Sequence, residues 1–127
     1  MANTNRPTSP HLQIYRLPLT AKMSISHRAT GALLSVGLVL TVLFLVALAN
    51  GEASWQTAHS LLAGGLGQLV LFGFSVVLNY HLCNGIRHLF WDVGHGYSLE
   101  EASRNNKMVF VGAAGLTVLV WLVALSA

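Results

Sequence analysis

Three stretches of the chain carry no charged residue: Ala29–Ala49 over 21 positions, Leu61–Tyr80 over 20 and Met108–Ala127 over 20. About 20 residues at 1.5 Å each cross a hydrocarbon core of roughly 30 Å, so each run is long enough to span a bilayer as a helix. The pattern predicts an all-α membrane protein with three transmembrane helices over about 26–49, 61–91 and 106–126. The polar connections between the runs are short, Asn50–Ser60 and Asp92–Lys107. Residues 1–23 are polar to mixed and contain Pro7, Pro10 and Pro18, which discourage a continuous helix. They read as a surface arm with a short interfacial segment around Leu12–Leu19, and residues 24–127 as the anchor domain. A signal peptide would place its apolar run nearer the start.

Composition sharpens this picture. Hydrophobic residues make up 54% of the chain and charged residues 9%, against roughly 25% in ordinary globular domains, which points to lipid as the solvent. With 127 residues there is room for one domain, and three helices alone bury little. Partner helices from another chain are therefore expected, in a heteromeric helix bundle. Small residues at Gly31 and Ser35, at Gly64, Gly65 and Gly67, and at Gly112 and Gly115 would permit close helix approach. Cys83 is the single cysteine, which excludes an internal disulfide, a Cys-x-x-Cys-His haem attachment and a paired-cysteine metal site. The basic residues are scattered singly, so nothing suggests nucleic acid. Their distribution sets orientation. Arg6, Arg16, Lys22 and Arg28 precede or open the first span, and Arg87, Arg104 and Lys107 flank the second loop. The positive-inside bias puts the N-terminus and second loop in the cytoplasm and the C-terminus outside.

Two polar constellations interrupt the apolar pattern. In "NYHLCNGIRHLFWD", residues 79–92, His81 and His88 are two helical turns apart and share a face with Asn84 and Gly85 between them. Counted from Asp92, His81 lies about 16 Å deep. An ionisable group there is costly unless paired or functional. Two readings stay open: a neutral imidazole ligating iron, or a histidine hydrogen-bonded to a neighbouring helix carbonyl. Gly85 could let a flat ring system approach the backbone, and Arg87 and Asp92 mark the exit to the interface. In "SISHRATG", Ser24–Gly31, the residues Ser24, Arg28 and Gly31 follow i, i+4, i+7 with His27 alongside. Arg28 has no acidic neighbour in sequence. It either snorkels to the headgroups or meets a propionate, a quinone carbonyl, a lipid phosphate or another subunit. By helical rise, His27 and Arg28 should lie about 8–10 Å nearer the cytoplasm than His81, and a haem standing on edge would bridge that interval.

The remaining polar residues read as structural. Gln68 and Asn79 are expected to form interhelical hydrogen bonds, His11, His59 and His95 to be solvated, and Cys83 to pack. Trp55, Trp91, Trp121, Tyr15 and Tyr97 suit interfacial anchoring, and Glu100 and Glu101 a capping pattern after Ser98. Polar groups cluster at one end, and the third span offers only Thr117 and Ser126, which argues against a transport path.

Taken together, "RPTSPHLQIYRLP" (Arg6–Pro18), "SISHRATG" and "HLCNGIRHLFWDVGHG" (His81–Gly96) resemble the cytochrome b556 family of succinate dehydrogenase membrane anchors, in order and spacing and over essentially the whole chain. The resemblance implies a multi-pass subunit of complex II in the cell inner membrane, non-catalytic alone. It implies haem b ligated by His81, with the other axial ligand supplied by a second membrane anchor subunit. His27 and Arg28 match residues that approach the haem propionates, and Ser24, Ile25 and Arg28 match residues lining a ubiquinone pocket. The implied partners are that second anchor, the iron–sulfur subunit and the flavoprotein subunit. Leu17 stands where some members place an aromatic residue. A haem-free structural anchor, as in related fumarate reductases, is the alternative.

Overall fold

The computed structural model describes residues 16–126, so expectations for His11, Tyr15 and the first half of the Leu12–Leu19 segment lie outside the described residues. Four helices run through it in chain order: α1 (Leu19–Ala49), α2 (Glu52–Ala63), α3 (Gly65–Asp92) and α4 (Leu99–Ser126). The three long ones are apolar enough to cross a membrane, and the chain is an all-α, multi-pass membrane protein.

Pro18 sets the start of α1. It is extended (φ −62°, ψ 157°), and its carbonyl accepts the first helical bond from the Lys22 amide at 3.1 Å. Proline tolerates this position because it has no amide hydrogen to leave unpaired. The helix therefore begins at Leu19 rather than near residue 26, and Thr20–Met23, expected in the arm, are helical, with Met23 buried. At the other connection, the Gly64–Gly65 pair breaks the second apolar run. Gly64 is extended between α2 and α3, so Leu61–Ala63 end α2 and the spanning helix starts at Gly65. The intervening loop is itself a helix. Its sequence "EASWQTAHSLLA" contains no glycine or proline and is rich in good helix formers. The Gln68 amide reaches back to the Leu62 carbonyl at 3.1 Å, holding α2 against α3.

Helix α3 is the hub and touches the other three. The interior is the inverse of a water-soluble core. Leucine and valine project outward along α1, α3 and α4, whereas Asn79, Asn84, Arg87, Asn106 and Thr117 are buried beside Met23, Val109 and Ala113. Lipid is as apolar as leucine, so side-chain hydrogen bonds and close packing hold such helices together. Asn106, Val109, Ala113 and Thr117 form one stripe of α4 facing α3. The Asn79 amide donates to Thr117 Oγ1 at 3.0 Å and Trp121 Nε1 donates to Ser75 Oγ at 2.8 Å.

Glycines mark the tightest approaches. A Cβ at Gly37 would lie 2.8 Å from the Phe74 ring, and one at Gly112 would lie 3.3 Å from Cys83 Sγ. Gly65 and Gly115, expected at helix contacts, face open space. The α3–α4 turn uses Gly94 and Gly96 at positive φ (83° and 86°), closed by Trp91 Nε1 donating to the Gly96 carbonyl at 3.1 Å. A capping box then opens α4: Ser98 Oγ accepts from the Glu101 amide at 3.2 Å, while Glu101 accepts from the Ser98 amide at 3.3 Å.

Candidate functional site

The site forms where the start of α1, the end of α3 and the start of α4 meet, here termed the basic end because Lys22, Arg28, Arg104 and Lys107 gather there. Its frame is a three-helix polar network. Tyr80 Oη and Asn84 Nδ2 both donate to the Met23 carbonyl, at 3.3 and 3.4 Å, fixing α1 against α3. Arg87 donates to Asn106 Oδ1, and Asn106 Nδ2 donates to Thr20 Oγ1 at 3.1 Å, so one arginine and one asparagine tie all three helices. The guanidinium also lies 4.4 Å over the Trp91 ring.

Arg87 is only 3% exposed, and its Nε and Nη2 atoms are buried without a hydrogen-bond partner. Five residues before the end of α3, it is covered by neighbouring helices rather than by solvent. Counting basic residues for orientation treats each as an end marker. The signal that separates Arg87 from the others is its position three residues after Asn84 and four before Trp91, on the polar stripe of α3.

Against this frame sits a row of imidazoles. The His27 and His81 rings stack at 3.9 Å between centroids and 12° between planes, and His88 lies 5.1 Å beyond His27. His27 from α1 thus enters between two α3 histidines one heptad apart. Each helix clears room for the other's ring with a glycine. A Cβ at Gly31 would approach His81 Cε1 to 3.2 Å, and one at Gly85 would lie 3.8 Å from His27 Cε1. His27 Nδ1 is buried without a partner.

The expected offset of about 8–10 Å between His27 and His81 is not found between their rings, which are in contact. The physical reason is the early start of α1. His27 lies eight residues inside α1 and His81 eleven inside the end of α3, about 12 and 16 Å by helical rise, and the bonds to the Met23 carbonyl hold that register.

Thr30 completes the cluster. Its Oγ1 is 2.8 Å from the His27 carbonyl and 3.0 Å from His81 Nδ1. The structure brings together His27, His81, His88 and Thr30, and separates them from the other expected residues. Ser24 is half-buried at the edge of the inward stripe, whereas Ile25 and Arg28 face away from α3 and α4. Arg28 Nε turns back towards the Ser24 carbonyl at 3.5 Å. Thr30 carried no weight in the sequence reading, although it stands seven residues after Met23, on the same helix face.

Among the described residues, no three His, Cys, Asp or Glu side chains converge as a ligand set for a bare metal ion. The donor set does fit a planar macrocycle with axial imidazole ligation. His81 can offer one nitrogen while its other is bonded, and glycines at 31 and 85 keep bulk away from the rings. A groove of about 740 Å³ lies between α3 and α4, lined by Cys83, Arg87, Phe90, Arg104 and Met108, and includes neither His81 nor Arg28.

Comparison with known proteins converges on one group. The family model described as succinate dehydrogenase/fumarate reductase transmembrane subunit matches residues 2–121. The chain is similar to the succinate dehydrogenase cytochrome b556 subunit of Paracoccus denitrificans, 42% identical over 119 residues that cover 94% of this chain and 92% of that one. It is also 42% identical over 118 residues to the mitochondrial succinate dehydrogenase cytochrome b560 subunit of Sus scrofa, covering 91% of this chain and 68% of that one. The cytochrome b560 subunit of Reclinomonas americana is 34% identical over 126 residues, covering 95% and 88%.

Proposed function

This chain belongs to the family of succinate dehydrogenase/fumarate reductase transmembrane subunits, and we propose that within it the chain is the anchor that binds haem b and ubiquinone and docks the iron–sulfur and flavoprotein subunits. The observation that carries the proposal is the stacking of His81 on His27 at the α1–α3 contact, with Gly31 and Gly85 beside the two rings. The relatives' names as cytochrome b subunits support the haem, which when bound supplies a one-electron redox centre inside the bilayer.

In this reading His81 is an axial ligand, and a second anchor subunit provides the other. Both α1 and α3 leave most of their apolar surface free for such a partner or for lipid. His27 and Arg28 approach the haem propionates, His27 beside the ligand and Arg28 from the exposed side of α1. Ser24, Ile25 and Arg28 form one wall of the quinone site. Reduction of the quinone takes two electrons and two protons and places negative charge on its carbonyl oxygens as it proceeds. Arg28 stabilises that charge, and Ser24 donates a hydrogen bond. The exposure of Ile25 and Arg28 within this chain supports a site completed by another subunit. The basic end faces the cytoplasm, where the iron–sulfur subunit docks. The C-terminus faces the periplasm, and the membrane is the cell inner membrane.

The test is a dithionite-reduced minus oxidised spectrum of the purified complex, for wild type and His81→Leu, with succinate–quinone activity on the same samples. A b-type band present in wild type and lost in the variant is the expected result. An assembled, active wild-type complex without that band would instead make this a haem-free anchor.

A further inference from the structure

We propose that Thr30 is a positioning residue for His81, setting which imidazole nitrogen is free to ligate; this rests on the haem reading above. The hydrogen bonds leave one self-consistent arrangement. A backbone carbonyl can only accept, so the Thr30 hydroxyl proton points at the His27 carbonyl, 2.8 Å away. Threonine inside a helix commonly bonds back to a carbonyl one turn earlier. The oxygen of Thr30 then has only lone pairs to offer at 3.0 Å to His81 Nδ1. That nitrogen carries the hydrogen, and the lone pair resides on Nε2.

The neighbourhood favours this arrangement. Gly31 brings α1 close enough that a Cβ there would press on His81 Cε1. Stacking on His27 fixes the plane of the ring, and the Thr30 bond fixes its rotation within that plane. The Thr30 hydroxyl thus ties the backbone of His27 to the ring of His81. An acceptor on the distal nitrogen of a ligating imidazole raises the basicity of the ligand. Greater basicity favours the ferric over the ferrous state, so Thr30 holds the haem potential below the value His81 would give alone.

The experiment compares four purified complexes: wild type, Thr30→Val, Thr30→Ser and His81→Leu. Haem content is measured, and the midpoint potential is titrated at the b-type band. Valine keeps the shape and removes the acceptor, so Thr30→Val should retain the band and shift its potential upward. A tenfold loss of ferric preference corresponds to about 59 mV for one electron. Thr30→Ser keeps the hydroxyl and should return to the wild-type potential. If Thr30→Val does not assemble, Thr30→Ala is titrated in its place.

Wild-type potential and haem content in Thr30→Val, with the band lost in His81→Leu, would overturn the positioning role and leave the haem reading standing. Equal shifts in the valine and serine variants would overturn it as well, by making the effect one of packing. Retention of the band in His81→Leu would remove the ligand assignment itself, and the role of Thr30 with it.

Discussion

The two ends of the bundle are held by different physics. At the basic end, Thr20, Met23, Tyr80, Asn84, Arg87 and Asn106 link α1, α3 and α4 through buried and part-buried hydrogen bonds. Toward the far end, α3 and α4 meet through Asn79–Thr117 and Trp121–Ser75, and α1 touches α3 through the Gly37–Phe74 approach. Beyond it, Leu38, Leu43, Leu45 and Leu48 of α1 face outward. The difference shows how a membrane protein of this size specifies a site. Apolar side chains gain little from leaving lipid for one another, so directional polar contacts are concentrated where side chains must be placed accurately. The far end needs only to be compatible with the bilayer and with neighbouring helices.

That comparison can be broken by substitution. Arg87→Ala should have the largest effect on stability. It leaves Asn106 Oδ1 without its donor and opens a void among three helices, a loss of about 1–3 kcal/mol for the unsatisfied buried acceptor with the void adding to it. Assembled complex recovered in mild detergent, and its thermal midpoint, would measure it. Arg28→Ala should leave assembly intact because the side chain is outside the network. It should slow quinone reduction by about 10²-fold if the guanidinium stabilises developing charge, read as succinate–quinone turnover against succinate oxidation with an artificial acceptor. Asn79→Leu, at the deeper α3–α4 bond, should cost only about 0.6 kcal/mol, a typical interhelical hydrogen bond in a bilayer. Leu43→Ala, on the outward face of α1, should fall within about 0.5 kcal/mol of wild type. A large loss there in the isolated chain would mean that the far end is held more firmly than its contacts imply.

The spans were legible because a charge-free run near 20 residues matches the thickness of a bilayer and outlasts most buried helices of soluble proteins. His81 stood out because a deep histidine is costly without a partner, and the Ser98–Glu101 box because its spacing has a known mechanism. Asn79 and Gln68 form the interhelical bonds expected of them. The helix Glu52–Ala63 was hidden by its polarity: a short connection between spans reads as a loop even when its residues favour a helix. The relative height of His27 and His81 was misjudged because it depends on where α1 starts. Pro18 marks that start only once it is recognised as the N-cap. The burial of Arg87 depends on Asn106, 19 residues away across a turn, and no local pattern pairs those two side chains.

The doubly bonded carbonyl of Met23 makes the chain unequally tolerant of changes in length. One residue added between Met23 and His27 would turn everything after it by about 100° and advance it 1.5 Å, carrying His27 off the face of His81. The same addition after Leu45 would merely present a different leucine to lipid and re-seat α2. The opening turns of α1 thus behave as a fixed-length spacer, whose residue count is constrained more tightly than most of its individual side chains, and the remainder of the helix as a length that can be trimmed to the thickness of the host membrane.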